Sequence, residues 1–302
     1  MISAKIPAPF RPWLRIGTCS WKYDSWKGLV YDAGKRYRPD DYLAEYARHF
    51  NTVEVDQWFW SLFPGGMALP DPLVADRYAA SVPDDFVFSV KAPNSITLTH
   101  YYDRETSGPL RGKPNPRFLD VKLLAEFLER IAPLGTKLGP VMFQFEYLNR
   151  QKMASKEEFF EHFSAFISKA PKGYHYAIEI RNPNYLSPAF FEFLGRHKLG
   201  FVYLEGYYMP RIGEVLDRFK PFTAPFSVIR LQGGDRADIE AETGGVWNKV
   251  ISPKPDRIED AVRIVRHNRR SKVLTYLNLN NHFEGSAPLT AERFLQRLPG
   301  ET

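Results

Sequence analysis

The chain has 302 residues, a net charge of +6 and a composition that is 44% hydrophobic and 25% charged, which excludes a disordered polypeptide. Its single cysteine, Cys19, excludes disulfides within the chain and cysteine-based metal clusters, and no apolar run approaches the ~18 residues of a membrane helix. The basic excess permits an anionic partner without requiring one.

The N-terminal MISAKIPAPFRPW has no apolar signal-peptide core, so a cytoplasmic location is expected. From there, strand-like and helix-like patterns alternate. LRIGTCSW (14–21) reads as a strand and DDYLAEYARHF (40–50) as an amphipathic helix. TVEVDQWFW (52–60) has strand alternation, and PLVADRYAASV (72–82) is helical. FVFSVKAP (86–93) is followed by a helix over 118–134, and PVMFQF (140–145) by a helix opening on a capping-box pattern, Ser155 to Glu158. YHYAIEIR (174–181) precedes a helix over 187–198, and LGFVYLEG (199–206) a weaker one over 211–220. FSVIRLQG (226–233) leads to a helix over 256–270, and KVLTYLNLNN (272–281) to a last one over 290–298. About eight strand–helix units without a linker predict one (β/α)8 TIM-type barrel domain over residues 1–302, with a doubly wound sheet as the structural alternative. The connections 22–39 and 94–117 are long and leave strand C-terminal ends, so both overhang the face where barrels carry their sites.

In a closed barrel both faces of a strand are interior, so polar alternates acquire meaning. If the apolar partners face the helices, the inward set is Glu54 and Asp56, Ser89 and Lys91, Gln144, Glu179 and Arg181, Tyr203 and Glu205, Arg230 and Gln232, then Tyr276, Asn278 and Asn280. Buried charges of both signs require pairing. They predict either a self-satisfied ion-pair network or an active site at the C-terminal face.

GTCSWKYDSWKG (17–28), TVEVDQWFWSLFP (52–64), FVFSVKAP with ITLTH (86–100), IEIRNPNY (178–185), VIRLQGG (228–234) and LNNHFEGSAPLTA (279–291) together resemble the DUF72 (YecE-like) family, in order and across essentially the whole chain. The resemblance implies a TIM-type barrel. The family's biochemical activity is not established, so no catalytic role is carried over. It does mark Trp21, Glu54, Lys91, His100, Glu179, Arg181, Arg230, Asn280, Asn281 and His282 as lying in the motif blocks. The family pattern is richer in Asn, Ser and Thr after the glutamate of strand two, where this chain has Asp56-Gln57-Trp58, a difference that bears on substrate specificity.

Several chemistries suit these residues. Glu54 and Glu179 are the candidate catalytic acid/base pair, since glycoside hydrolysis needs two carboxylates ~5–10 Å apart. A carboxylate held by a cation is, however, a poor proton donor. Lys91, Arg181 and Arg230, with Asn280 and Asn281 as neutral donors, suit a phosphate or carboxylate, and Trp21, Trp58 and Trp60 suit stacking on a sugar or base. Trp21, His100 and His282 join the substrate-binding candidates. The seven histidines form no HxH or HExxH arrangement, and nearby cations would repel a metal, so no metal ligand and no cofactor is assigned. A Schiff-base Lys91 or nucleophilic Cys19 is disfavoured by the neighbouring glutamates and the small strand-one setting. The basic run 263–272 suits a helix C-terminus at the opposite face, whereas Tyr101, Tyr102, Arg104, Arg111, Lys113 and Arg117 interleave aromatics and cations over the mouth. The leading expectation is an enzyme doing acid/base, hydrolytic chemistry on a small anionic or sugar- or phosphate-containing substrate. The alternatives are a nucleic-acid-binding, nuclease-like protein and a non-catalytic ligand sensor.

Overall fold

The structure, a computed structural model, describes residues 5–63, 66–103, 105–234 and 236–299. Its barrel strands are β1 (Leu14–Thr18), β2 (Thr52–Val55), β3 (Val87–Lys91), β4 (Leu138–Gln144), β5 (Tyr176–Glu179), β6 (Gly200–Gly206), β7 (Phe226–Gly233) and β8 (Leu274–Leu279). Each is followed by a helix: α1 (Asp41–Tyr46), α2 (Pro72–Ala80), α3 (Val121–Ile131), α4 (Lys156–Lys169), α5 (Pro188–Arg196), α6 (Ile212–Phe219), α7 (Pro255–Arg270) and α8 (Ala287–Arg297). Neighbouring strands pair in parallel from β2 through to β8 and back to β1, making an 8-stranded, nearly closed barrel of the (β/α)8 TIM type.

The seam lies between β1 and β2. There the strands meet through the Cys19–Glu54 bridge and a hydrogen bond from the Ser20 amide to the Glu54 carbonyl at 3.0 Å. A tyrosine completes the gap: the Tyr46 hydroxyl, from the end of α1, accepts the Thr18 amide at 2.8 Å and donates to the Thr52 carbonyl at 3.0 Å. Buried backbone groups that would otherwise lack partners are thereby satisfied. Gly17 permits this approach, because a Cβ there would run into the Thr52 carbonyl.

The lower interior is an apolar plug of Met142, Ala177, Val202, Phe226, Val228 and Tyr276. Outside the sheet, Phe143 and Phe145 meet Phe163 of α4 edge to face at 5.5 and 5.7 Å. The α4 start is capped as its sequence predicts, with Ser155 Oγ accepting the Glu158 amide at 3.1 Å, while Glu158 reaches back to the Ala154 amide at 2.6 Å.

Three sequence expectations need correction. The alternation of 52–60 continues past its strand: β2 ends at Val55, and Gln57–Phe59 form a single 3-10 turn. The turn lets Trp58 and Phe59 both be buried, with Trp58 stacked 5.8 Å from Tyr78 of α2, which alternation could not do. On β6 the facing is reversed. Val202 and Leu204 are registered beside the inward Val228 and Arg230, so Tyr203 and Glu205 point out toward the helices. Both faces of that strand are apolar, Phe201 and Tyr203 on one and Val202 and Leu204 on the other, so alternation carried no information there. Finally, an additional helix, Arg236–Thr243, stands between β7 and α7.

The long connections are folded. Trp26, Val30 and Tyr31 of 22–39 are buried, and Asn115 anchors 94–117 by donating to the Ser95 and Leu98 carbonyls at 2.8 and 2.7 Å. Among the described residues no helix is long and apolar enough to cross a membrane.

Candidate functional site at the barrel mouth

Above the apolar plug the interior turns polar. Glu54 on β2, Glu179 at the end of β5 and Arg230 on β7 converge there, at 0%, 1% and 3% side-chain exposure. Arg230 Nε and Nη2 donate to the two oxygens of Glu54 at 2.7 and 2.6 Å, a bidentate fork. Its Nη1 donates to Glu179 and, at 3.2 Å, to Gln144. Asn278 completes the layer by donating to Glu54 at 3.2 Å and to Ser89 Oγ at 3.1 Å. Burial pushes the Glu179 carboxyl up, but the charges of Arg230 and Arg181 outweigh it and hold the group below the usual carboxylate range. For Arg230, burial opposes the charge and the two glutamates more than restore it, raising its pKa well above that of a free guanidinium.

A second, more open layer lies above. Arg181 donates to Glu179 at 3.0 Å and lays its guanidinium over the Tyr207 ring at 4.0 Å. Lys91, at the end of β3, places its ammonium 4.2 Å over the Phe59 ring. Among the described residues that ammonium has neither a hydrogen bond nor a carboxylate within 4 Å, although Lys91 is only 6% exposed. Burial and the charge of Arg230 lower its pKa against the opposing pull of Glu54, Asp56 and Glu179. Asp56, half-buried in the turn after β2, likewise forms no ion pair within 4 Å among the described residues. Burial raises its pKa, partly opposed by Lys91.

A polar chain leaves this centre between β7 and β8. Gln232 donates to Cys19 Sγ at 3.2 Å and accepts from Asn280 at 3.0 Å. Asn280 Oδ1 takes the His282 amide at 3.0 Å and contacts its Nδ1 at 2.6 Å, and His282 Nε2 reaches Glu240 at 3.1 Å. Burial lowers the His282 pKa and Glu240 counters it only in part. Cys19 itself is buried, and burial pushes its thiol well above the usual range.

The structure therefore brings Glu54, Lys91, Glu179, Arg181 and Arg230 together, with Asn280 and His282 one step away. Other candidates lie apart. Trp21 is buried edge-on against Tyr78 at 5.1 Å. Asn281 is buried with its Oδ1 accepting the Ala287 amide at 2.9 Å, at the start of α8. His100 contacts Thr99 at 3.0 Å in the 94–117 connection. In that connection Arg111 pairs with Asp103 and Arg117 with Asp120, while Arg104 lies outside the described residues. Glu205, read from sequence as inward, instead accepts the Ile212 amide at 3.1 Å and pairs with Arg257 at 3.2 Å. Tyr207 escaped sequence reasoning altogether. The aromatic pair Tyr207-Tyr208 directly after the strand end was the available signal, and in the structure both residues take left-handed φ, 53° and 62°. No three His, Cys, Asp or Glu side chains among the described residues are grouped to hold a metal ion.

Comparison with known proteins places this geometry in a family. A solved DUF72 family protein from Thermotoga maritima shares the fold with a TM-score of 0.66 and 22% identity, covering 95% of this chain and 100% of the other. A DUF72 family protein from Enterococcus faecalis gives 0.62 and 19%, covering 96% of each. The UPF0759 protein YecE of Escherichia coli K12 is 27% identical over 178 residues, 57% of this chain, and the chain spans about half the length of that curated relative, 50%. The family model described as "Protein of unknown function DUF72" matches residues 15–302, and the chain belongs to that family.

Proposed function

We propose that the barrel mouth binds a small anionic, sugar- or phosphate-containing substrate and carries out acid/base, hydrolytic chemistry on it. The observation that supports this most is the contrast between layers. Arg230 is consumed by its partners, whereas Lys91 and Asp56 stand above it without ion-pair partners among the described residues. An unpaired buried ammonium is costly and is compensated when an anion arrives. In this reading Lys91 and Arg181 hold the anion. Glu54 and Glu179, the acid/base pair suggested by residue type, keep Arg230 in place and shape the floor. Proton transfer falls to Asp56, which has no cation within 4 Å among the described residues and whose pKa burial raises rather than lowers. A panel of chromogenic glycosides and phosphate esters, screened with Lys91→Met and Asp56→Asn, tests the proposal. Turnover lost in both folded variants supports it; turnover equal to wild type in either removes that residue's role.

A second reading, a nucleic-acid partner, has one observation in its favour. Trp60, half exposed, lies 6.2 Å from the ring of Tyr102 across two loops, a stacking surface at the rim.

A further inference from the structure

Beside the central cluster, a cavity of about 570 Å³ opens between the ends of β6 and β7. Among the described residues its walls carry Arg236, Lys254 and Arg257, the carboxylate of Glu205, and the aromatic rings of Tyr207, Tyr208 and Phe283. We propose that this cavity is a phosphate subsite, taking the phosphoryl group of a phosphorylated small molecule whose ring or sugar lies against the tyrosines. The proposal deepens the reading above by naming the substrate class, and it rests on that reading for the chemistry alone.

The clustered cations carry the argument. A phosphate monoester bears close to two negative charges at neutral pH. Among the described residues the lining carries three cations against Glu205, and Glu240, the ion-pair partner of Arg236, offsets one more, so the described lining keeps a net positive charge. Arg236 commits its Nε to Glu240 at 2.8 Å, and Arg257 commits Nη1 to Glu205 at 3.2 Å. Each guanidinium has five N–H donors, so both keep a fork that fits phosphate oxygens. Lys254 acts as a fixed charge: its ammonium is anchored on Ser252 O and Oγ, both at 3.1 Å, and on the Phe283 carbonyl.

Backbone geometry supports the same assignment. A register shift at Glu205/Gly206 brings Gly206 against Gly233, where a Cβ on Gly206 would run into the Gly233 carbonyl. Both glycines have positive φ, 131° and 88°, and Gly234 beside them has open space where a side chain would project. Bare backbone thus lines the cavity between two strand ends, as bulges at barrel rims commonly arrange. The neighbouring Tyr207 and Tyr208 hold a strained left-handed pair of residues, and Tyr208 is 99% exposed. Strain of that kind clusters at ligand sites. Through the Arg181–Tyr207 stack the cavity adjoins the central cluster, so a ligand anchored by phosphate here would extend toward Asp56 and Lys91.

Titrations with inorganic phosphate, glucose 6-phosphate and glucose, followed by calorimetry at low and high salt, test this. The expected result is phosphate binding that weakens with salt, with affinity reduced at least tenfold in Arg236→Gln and further in Arg236→Gln/Arg257→Gln. Arg236 is exposed and its substitution tests the site even where the double variant folds poorly. Equal phosphate affinity in wild type and Arg236→Gln, or no phosphate binding at millimolar concentration, overturns the subsite. Phosphate binding that is lost in Arg236→Gln, with no turnover of any phosphorylated compound, supports the subsite and overturns the hydrolytic reading alone.

Discussion

Arg230 and Lys91 occupy the same barrel mouth, both nearly inaccessible, yet the protein treats them oppositely. Arg230 is gripped by Glu54, Glu179 and Gln144, so its charge is neutralised inside the fold. Among the described residues, the Lys91 ammonium lies over an aromatic face and has neither a hydrogen bond nor a carboxylate within 4 Å. Identical burial therefore does not mean identical work. A charge compensated from within belongs to the architecture, and a charge left for something outside belongs to binding.

The largest effect should come from breaking the compensated centre. Arg230→Met leaves two buried carboxylates facing each other, and breaking a buried pair costs ~3–5 kcal/mol. Glu54→Gln should cost a comparable amount, because it strips the guanidinium of its bidentate partner. Urea unfolding of both variants checks this. A loss under ~1 kcal/mol would mean that the cluster is open to water, as exposed pairs are.

Lys91→Met should behave in the opposite sense. Replacing a buried charge that no carboxylate contacts directly among the described residues by an apolar side chain of similar length is expected to be neutral or mildly stabilising, by up to ~1 kcal/mol. Ligand binding at the mouth should be lost at the same time. A strongly destabilised Lys91→Met would erase the distinction between the two cations.

The pH dependence sharpens the comparison further. The Glu179 pKa is held below its unfolded value of ~4.3, so its contribution is complete above that pH and is lost as pH falls through the folded value. Stability should therefore drop on acidification below about pH 5, and Arg230→Met should reduce that drop. Asp56 has the other sign. Its raised pKa makes its contribution complete below about pH 4, the unfolded value, and lost as pH rises through the folded one. Denaturation midpoints of Asp56→Asn against wild type should diverge in favour of the variant as pH increases from about 4 to neutrality.

The smallest effect concerns the 94–117 connection. With Arg111 already neutralised by Asp103, substituting Arg104, Arg111 and Lys113 together should alter the salt dependence of any nucleic-acid binding by less than the three contacts that free cations would make. A slope change near three phosphate contacts would instead favour the nucleic-acid reading.

Much of this molecule was legible in its sequence. Eight strand–helix alternations sufficed for the barrel, because alternating β and α segments without linkers bury themselves economically in few other ways. Parity on β2, β3, β5 and β7 located Glu54, Lys91, Glu179 and Arg230, since toward the C-terminal end of each of those strands polar residues fall on one parity and apolar residues on the other. The same rule failed on β6, where both faces are apolar and only lateral register with β7 turned Glu205 outward. It also failed beyond Val55, because a turn places consecutive aromatics on one side. Pairing was never legible: which glutamate meets which cation depends on strand order around the barrel, and Glu54 and Arg230 are 176 positions apart. The cavity between β6 and β7 was likewise hidden. It arises where Gly206 and Gly233 let two strand ends touch, and residue type specifies that freedom while only the tertiary fold decides what it brings together.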